Sequence, residues 1–293
     1  MQTVLSSASK QVIIGDDQPF CIIGERINPT GRKAFQEQLR AGDLSAVETD
    51  VAAQVAGGAM VLDVNMGVPL TDEAELLANA VTLVQSLTDL PLCIDSSVVE
   101  ALEAGLGAYE GKALVNSVTV EDDRMELILP LVKRHNAAII ALPNDETEIP
   151  IDPVRRVELV KRFVDIATSK YGIPLEDIVI DPLAMPIGAD SLHADRTMEA
   201  ISMIRDQVGV NMTLGASNVS FGMPDRHTLN AVFIPMAMRA GLTSAIMDAR
   251  TPQVVTAVKG ADLMLGHDEW GAAWIQQHRA KKAAETAAVA SEF

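Results

Sequence analysis

Short apolar runs, most of them ending in a polar residue, recur along the whole chain. Val, Ile, Leu and Ala dominate them, which is typical of strands buried on both faces of a sheet. Each interval between two runs is long enough for a helix, so the pattern predicts an α/β fold, a (β/α)8 or TIM barrel. The runs are Phe20–Glu25, Met60–Asn65, Leu90–Ser96, Ala113–Ser117, Ala137–Asn144, Ile178–Asp181, Val210–Asn218 and Ala245–Asp248.

The polar residues at the ends of these runs are the candidates for chemistry. In a (β/α)8 barrel the carboxyl ends of all strands open onto one face, where catalytic side chains collect. We therefore expect one mouth that is surrounded by Glu25, Asp63, Asn65, Asp95, Asn116, Asp181, Asn218 and Asp248.

Carboxylates and carboxamides in one ring suit a planar heterocycle with several N–H donors and acceptors. A carboxylate accepts two N–H bonds from an amino-pyrimidine edge, and a carboxamide both donates and accepts. The set therefore indicates a site for a pterin or a purine. For any single Asp or Asn the alternative is a structural role, because these residues also cap helices and fix turns.

The intervals between the runs predict helices. An amphipathic stretch covers residues 36–55 and ends at Gly57 and Gly58. Thr71 is a predicted N-cap, and residues 97–100 have the spelling of a capping box. Later helices are expected at about Pro153 to Ser169, Leu192 to Gln207 and Arg226 to Ala240.

One domain accounts for the length of the chain. The 293 residues exceed the usual domain size, but about 250 residues is ordinary for one (β/α)8 barrel. We expect residues 1–280 to form a single barrel, with residues 1–18 as a polar lead-in or a strand that plugs it. Residues 281–293 are Ala-rich and are expected to be a disordered or frayed tail.

Charge and hydropathy exclude several classes of partner. The chain has 40 acidic and 23 basic residues, a net charge of −17, which argues against binding nucleic acid or an anionic membrane surface. It contains neither a secretory leader pattern nor a run approaching 18 apolar residues. Cys21 and Cys93 lie within predicted strands and are expected to be small buried hydrophobes. These features predict a cytoplasmic protein.

Local motifs exclude further chemistries. The chain has no H-x-x-H, H-x-H or cysteine cluster, so we expect no metal site. Neither phosphate-cradling signature, GxxxxGK[ST] or a strand-linked GxGxxG, occurs. The histidines fall in predicted helices or loops and are expected to be structural or surface residues: His135, His193, His227, His267 and His278.

Several strand-end motifs, taken together, resemble the pterin-binding methyltransferase family. This family includes methyltetrahydrofolate:corrinoid-protein methyltransferases and the folate module of cobalamin-dependent methionine synthase. The similarity extends over roughly residues 20–265, in the same order along the chain. The motifs are IIGERINPTGRK (22–33), LDVNMG (62–67), LCIDSS (92–97), LVNSVT (114–119), VIDPLAMP (179–186) and LGASNVSFGMPDR (214–226).

The resemblance implies a dihydropteroate-synthase-like barrel that binds tetrahydrofolate or 5-methyltetrahydrofolate and exchanges a methyl group with cobalt on a corrinoid protein. It implies that Asp95, Asn116 and Asp181 hydrogen-bond the pterin and that Asn218 lies near N5. Asn218, Asp95 and Asp181 are thus the expected catalytic residues. Further substrate-binding positions are expected at Glu25, Asp63, Asn65, Ser96, Gly215, Arg226 and Asp248.

The corrinoid is expected on a partner protein. The closest match to the cobalamin-binding signature DxHxxG, at residues 265–271, has the wrong spacing. The resemblance also implies a homodimer that is formed through helices away from the mouth. Phe221 and Gly222 stand where the corrinoid/iron-sulfur branch has Gln and Asn, so the corrinoid partner stays open, as does tetrahydrofolate against another tetrahydropterin.

Two alternatives share the pterin pocket. A dihydropteroate synthase is expected to carry a STRPG loop, but this chain has VNMGVP there, at residues 64–69. A noncatalytic pterin-binding or corrinoid-docking subunit would bind the folate without turnover. The direction of methyl transfer and the primary methyl donor also stay open.

Overall fold

The computed structural model describes residues 1–279 and Lys282, and its strands alternate with helices as the apolar runs predict. The tail predicted from residue 281 lies outside the described residues apart from Lys282. The strands are β1 (Gln2–Ser6), β2 (Gln11–Gly15), β3 (Cys21–Ile27), β4 (Val61–Asn65), β5 (Leu92–Asp95), β6 (Leu114–Thr119), β7 (Ala138–Leu142), β8 (Ile178–Ile180), β9 (Asn211–Met212) and β10 (Ser244–Met247).

Eight of these strands form a parallel sheet in the order β10-β3-β4-β5-β6-β7-β8-β9. A parallel bridge between Gly215 and Ile246 joins the two ends of this order, and the Ile246 N–H donates to the Leu214 carbonyl at 2.9 Å. The sheet is thus joined into a ring by a short seam. The predicted (β/α)8 barrel is confirmed.

Helices connect consecutive barrel strands and cover the outside of the barrel. Among the described residues none is long and apolar enough to cross a membrane. Their bounds are α1 (Lys33–Arg40), α2 (Ser45–Gly57), α3 (Glu73–Leu87), α4 (Val99–Ala108), α5 (Asp122–Arg134), α6 (Pro153–Ser169), α7 (His193–Gln207), α8 (Arg226–Ala240) and α9 (Pro252–Leu265).

The N-terminal residues close the bottom of the barrel. Strands β1 and β2 pair as an antiparallel hairpin, whose Leu5, Val12 and Ile14 are buried with the inward side chains of the barrel strands. Of the two alternatives predicted for residues 1–18, the plug is found, although it is a hairpin rather than one strand. Cys21 and Cys93 are free and buried in the same cluster, as expected.

The strand predicted over Val210–Asn218 is wrong beyond Met212. Only Asn211–Met212 is a strand, and Ala216–Ser220 forms a 3₁₀ turn. Sheet hydrogen bonds continue as far as Leu214, whose carbonyl accepts the Ile246 N–H at 2.9 Å, and the chain then turns where the Asn218 N–H bonds to the Gly215 carbonyl at 3.1 Å. Asn218 therefore lies on a turn above the strand end.

Two helix starts also differ from the sequence prediction. Asp72, not Thr71, caps α3, because its carboxylate accepts the Glu75 N–H at 3.1 Å. The predicted capping box does not form, because α4 begins after Val98, whose side chain makes no capping hydrogen bond. The Ser96 hydroxyl accepts the Val98 N–H at 2.9 Å. The amphipathic stretch 36–55 is divided between α1 and α2 by a turn at Gly42, whose φ of 72° favours glycine.

Candidate active site

The polar residues of the mouth face inward because of the strand period. Side chains alternate between the two faces of a strand, so a residue two positions beyond an inward core residue also faces inward. Inside the barrel, Ile23, Val61, Cys93, Leu114 and Val179 belong to one buried cluster, and the partly buried Ile246 packs against it. Two residues beyond each of them come Glu25, Asp63, Asp95, Asn116, Asp181 and Asp248.

Three of these polar groups, Asp63, Asp95 and Asn116, lie side by side with Asn65 on β4, β5 and β6. Asn65 pairs in register with Asp95, and Asp95 pairs with Asn116. The Asn116 amide donates to the Asp63 carboxylate at 3.1 Å, and the Asn65 side chain accepts the Gly67 N–H at 2.8 Å. The structure thus brings together the four residues that the strand ends predict here.

The two carboxyl groups of this set hold protons more strongly than usual. Burial raises the pKa of Asp63 to about 6, although the hydrogen bond from Asn116 opposes the rise. Burial, and then the neighbouring charge of Asp63, raise the pKa of Asp95 well above its usual value. A carboxyl group in its protonated form can donate a hydrogen bond as well as accept one, and the raised pKa values favour that form.

Asp181 stands on the opposite side of the mouth. Its carboxylate accepts the Leu183 N–H at 2.8 Å and a backbone hydrogen bond from Gly215. Burial raises the pKa of Asp181 to about 6, and the charge of Arg156 opposes the rise. Sequence reasoning missed Arg156, which is fully buried and donates to the carbonyls of Pro182 and Leu183 at 2.7 and 2.8 Å.

Glu25 and Asp248 form a second acidic pair, at the seam of the barrel. Burial and the charge of Asp248 raise the pKa of Glu25 to about 7. Burial also acts to raise the pKa of Asp248, but hydrogen bonds from Arg250 outweigh it and hold that pKa below its usual value. The Arg250 guanidinium donates one hydrogen bond to each carboxylate oxygen of Asp248, both at 2.9 Å. No motif in the sequence points to Arg250, because an exposed arginine in a loop is ordinary.

Asn218 is placed differently from the other candidates. Its side chain is exposed at the rim, on the 3₁₀ turn, and makes no hydrogen bond to any described residue. A Cβ at Gly215 would lie 3.0 Å from the Asn218 amide nitrogen. This close approach explains a glycine at 215, since a side chain there would push Asn218 aside.

Two predicted binding residues support loops. The buried Ser96 hydroxyl donates to Glu73, which ties the β5–α4 loop to α3. Arg226, at the start of α8, donates to the Ser217 carbonyl at 2.7 Å and to the Ser220 hydroxyl at 3.2 Å. Arg226 also lines a cavity of the mouth, so it has both a structural contact and a side open to ligand.

The mouth contains two cavities of small-molecule size. One, of about 320 Å³, adjoins Asp95 and Asn116, and the other, of about 210 Å³, lies between Glu25, Arg226 and Asp248. Within residues 1–279, no three His, Cys, Asp or Glu side chains are arranged to hold a metal ion. The carboxyl and carboxamide groups at these cavities can bind a polar heterocycle by hydrogen bonds, and Arg226 and His227 also line the second cavity.

The chain belongs to the pterin-binding enzyme family, whose model matches residues 24–248. It is similar to the methylcorrinoid:tetrahydrofolate methyltransferase of Eubacterium limosum, with 32% identity over 84% of this chain and 92% of that protein. It is also 33% identical, over 84% of its length, to the methionine synthase of Mycobacterium tuberculosis. The chain matches only 22% of that longer protein.

Solved structures support the fold. A dihydropteroate synthase from Xanthomonas albilineans, in complex with 7,8-dihydropteroate, superposes with a TM-score of 0.67 at 18% identity, over 89% of this chain and 98% of that one. The dihydropteroate synthase of Yersinia pestis gives a TM-score of 0.63 at 15% identity, over 89% of this chain and 98% of that one. At this identity the likeness establishes the barrel only.

Proposed function

We propose that this protein transfers a methyl group between N5 of tetrahydrofolate and the cobalt of a separate corrinoid protein. One observation carries the proposal. The mouth combines a deep set of buried carboxyl and carboxamide groups with Asn218, an unpaired carboxamide on the exposed rim. The name of the Eubacterium limosum relative supports the same reaction.

The buried set binds the pterin. Asp95 and Asn116 hold one edge of the ring from β5 and β6, and Asp181 holds it from the end of β8. Each ring N–H that meets a carboxylate makes a charge-assisted hydrogen bond, which is stronger than a neutral one. Burial excludes competing water, so these bonds fix the orientation of the ring. The methylated N5 then lies toward the rim, where Asn218 is found.

Asn218 and the carboxyl groups activate N5. A methylated tertiary amine is a poor leaving group unless its nitrogen gains positive charge, so the site must favour that charge in the transition state. The free amide of Asn218 donates to or accepts from N5 as charge develops. Ionised carboxylates among Asp63, Asp95 and Asp181 stabilise the protonated amine electrostatically.

The corrinoid is the second substrate, and its cobalt(I) supplies the nucleophile. The barrel therefore needs no nucleophile of its own, and the same site serves the reverse transfer onto tetrahydrofolate. The rim must stay open to the partner, which agrees with the exposure of Asn218. The dimer proposed from the family resemblance leaves this face free, because it uses helices away from the mouth.

Mixing the protein with 5-methyltetrahydrofolate and free cob(I)alamin tests the proposal. We expect saturable folate binding in calorimetry and conversion of the cob(I)alamin absorbance to that of methylcobalamin. Binding without conversion would replace the proposal with a noncatalytic pterin-binding subunit. Condensation of a pterin pyrophosphate with 4-aminobenzoate, without methyl transfer, would replace it with a dihydropteroate synthase.

A further inference from the structure

The turn that carries Asn218 is held from two sides through the neighbouring Ser217. On one side, both oxygens of Glu25 accept from the Ser217 hydroxyl, at 3.2 and 3.3 Å. On the other side, the Arg226 guanidinium donates to the Ser217 carbonyl at 2.7 Å. Ser217 thus connects the end of β3 with the start of α8, and Asn218 follows it directly in the chain.

The rest of the turn is fixed to α8. The Ser220 hydroxyl donates to the buried Asn230 side chain at 2.7 Å and accepts from Arg226 at 3.2 Å. The Asn218 N–H closes the turn on the Gly215 carbonyl at 3.1 Å. Because these bonds hold the backbone on both sides of Asn218, they set the position from which its side chain projects.

Of the two residues that hold Ser217, Glu25 and Arg226, Glu25 is the one that can change its charge. The charged groups that act on it are Asp248 after β10, Asp63 on β4, Arg26 on its own strand and Arg250 on the loop before α9. Arg226 and His227, at the start of α8, line the same cavity as Glu25. Burial, and then the charge of Asp248, raise the pKa of Glu25 to about 7. The proton occupancy of Glu25 is thus variable in the physiological range.

We propose that Glu25 is a positioning residue that sets the orientation of the Asn218 amide through the hydroxyl of Ser217. The proposal rests on the methyl-transfer function proposed above and adds a control over its rate. Ionised Glu25 accepts the Ser217 hydrogen and holds the turn. Protonated Glu25 is a weaker acceptor and loosens the hold. Neither residue needs to touch the methyl group.

The kinetic test is Ser217→Ala, which removes the hydroxyl and leaves the backbone contact with Arg226. The two Glu25 distances exceed the roughly 2.7 Å usual for O–H···O bonds, so a moderate effect is expected. We expect the single-turnover methyl-transfer rate to fall about 3- to 10-fold, with folate affinity changed less than about 2-fold. Ser86→Ala is the matched control, since it removes a hydroxyl on α3 that donates to the Leu83 carbonyl, and it should change neither.

Glu25→Gln separates hydrogen bonding from charge. The Gln carbonyl can still accept from Ser217, so this variant should keep a rate within about 3-fold of the wild type and lose the titration near neutral pH. An equal rate in Ser217→Ala and wild type would overturn the proposal, as would a loss in Ser217→Ala that appears in affinity rather than in rate.

A spectroscopic arm works without turnover. In the ligand-free wild-type protein we expect the side-chain amide resonances of Asn218 to shift with pH. The midpoint should lie near pH 7, because the pKa of Glu25 is raised to about 7. The shift should vanish in Glu25→Gln and shrink in Ser217→Ala. Resonances that do not titrate, or that titrate equally in Ser217→Ala, overturn the coupling. A wild type that transfers no methyl group would instead overturn the proposed function, whatever the resonances show.

Discussion

At the scale of single residues, the mouth divides its work between groups that are buried and one that is exposed. Asp63, Asp95 and Asp181 lose hydration, which raises their pKa values. Hydrogen bonds from Asn116 to Asp63 and from the Leu183 N–H to Asp181 offset part of this cost, and a bound ligand can supply further hydrogen bonds. The exposed Asn218 side chain keeps its hydration in the absence of ligand. Its amide can therefore form a hydrogen bond with a ligand atom on which charge develops. The first group should therefore govern affinity, and Asn218 should govern rate.

Asp95→Ala and Asp181→Ala should each weaken pterin binding. Either change leaves a buried ring N–H unpaired, at a cost of about 1–3 kcal/mol, which is roughly a 5- to 150-fold loss of affinity. Calorimetry with 5-methyltetrahydrofolate measures the effect. Asp123→Ala, at an exposed position in the first turn of α5, is the control. Unchanged affinity in both variants would remove Asp95 and Asp181 from the site.

Asp181→Asn should stabilise the fold at neutral pH. The native pKa is raised to about 6, above about 3.9 in the unfolded chain. Between these values the native protein keeps a proton that the unfolded chain has lost, so stability falls as pH rises through 6. We expect the free energy of unfolding at pH 7.5 to rise by about 1–3 kcal/mol in the variant, with little difference near pH 4.

Urea unfolding of Asp181→Asn and wild type at both pH values measures this effect. Asp123→Asn is again the control, because its carboxyl group is exposed. A variant that is less stable than wild type at pH 7.5 would mean that the Asp181 carboxylate stabilises the native barrel.

At the scale of elements, the sequence was most informative where the local pattern of apolar residues is enough to determine an element. Apolar runs located the barrel strands, because a strand buried on both faces admits few polar residues. The run at residues 210–218 misled, because its second half forms a 3₁₀ turn that is closed by a local hydrogen bond from the Asn218 N–H to the Gly215 carbonyl. Helix starts were also misplaced, since Asp72 rather than Thr71 caps α3, and α4 begins after Val98, which has no capping side chain.

In the site, too, the residues that follow a local pattern could be predicted, and those fixed by tertiary contacts could not. Glu25, Asp63 and Asp95 could be predicted because they follow strand runs. Arg156 and Arg250 could not, because their partners are fixed by tertiary contacts between distant segments or in a loop without a motif. A residue whose role is to contact another side chain or a loop need not lie in a recognisable sequence motif.

The N-terminal hairpin should stabilise the barrel without touching the mouth. Leu5 is fully buried beneath the inward strand residues. Leu5→Ala should lower the free energy of unfolding by about 2–5 kcal/mol through lost burial and a cavity, while folate affinity stays the same. Leu127→Ala, on α5 with 52% of its side chain exposed, is the control for urea unfolding. Equal losses in both variants would show that the plug adds no stability.

At the scale of the whole molecule, we expect the mouth to stay open to the corrinoid partner. We expect a homodimer that forms through helices away from the mouth. Val232 and Met236 lie one turn apart on α8 and are 57% and 53% exposed, an apolar pair that a second subunit would cover. Sedimentation at micromolar concentration should show a dimer, and Met236→Lys should shift it toward monomer. A wild-type monomer would contradict this expectation.

The central claim is that this mouth binds a methylated folate and that Asn218 activates its N5. Stopped-flow single turnovers with saturating 5-methyltetrahydrofolate and cob(I)alamin test it most directly. We expect wild type to form methylcobalamin, and Asn218→Ala to do so about 10- to 1000-fold more slowly, with a smaller change in folate affinity. No methyl transfer by wild type, or a normal rate in Asn218→Ala, would contradict the claim.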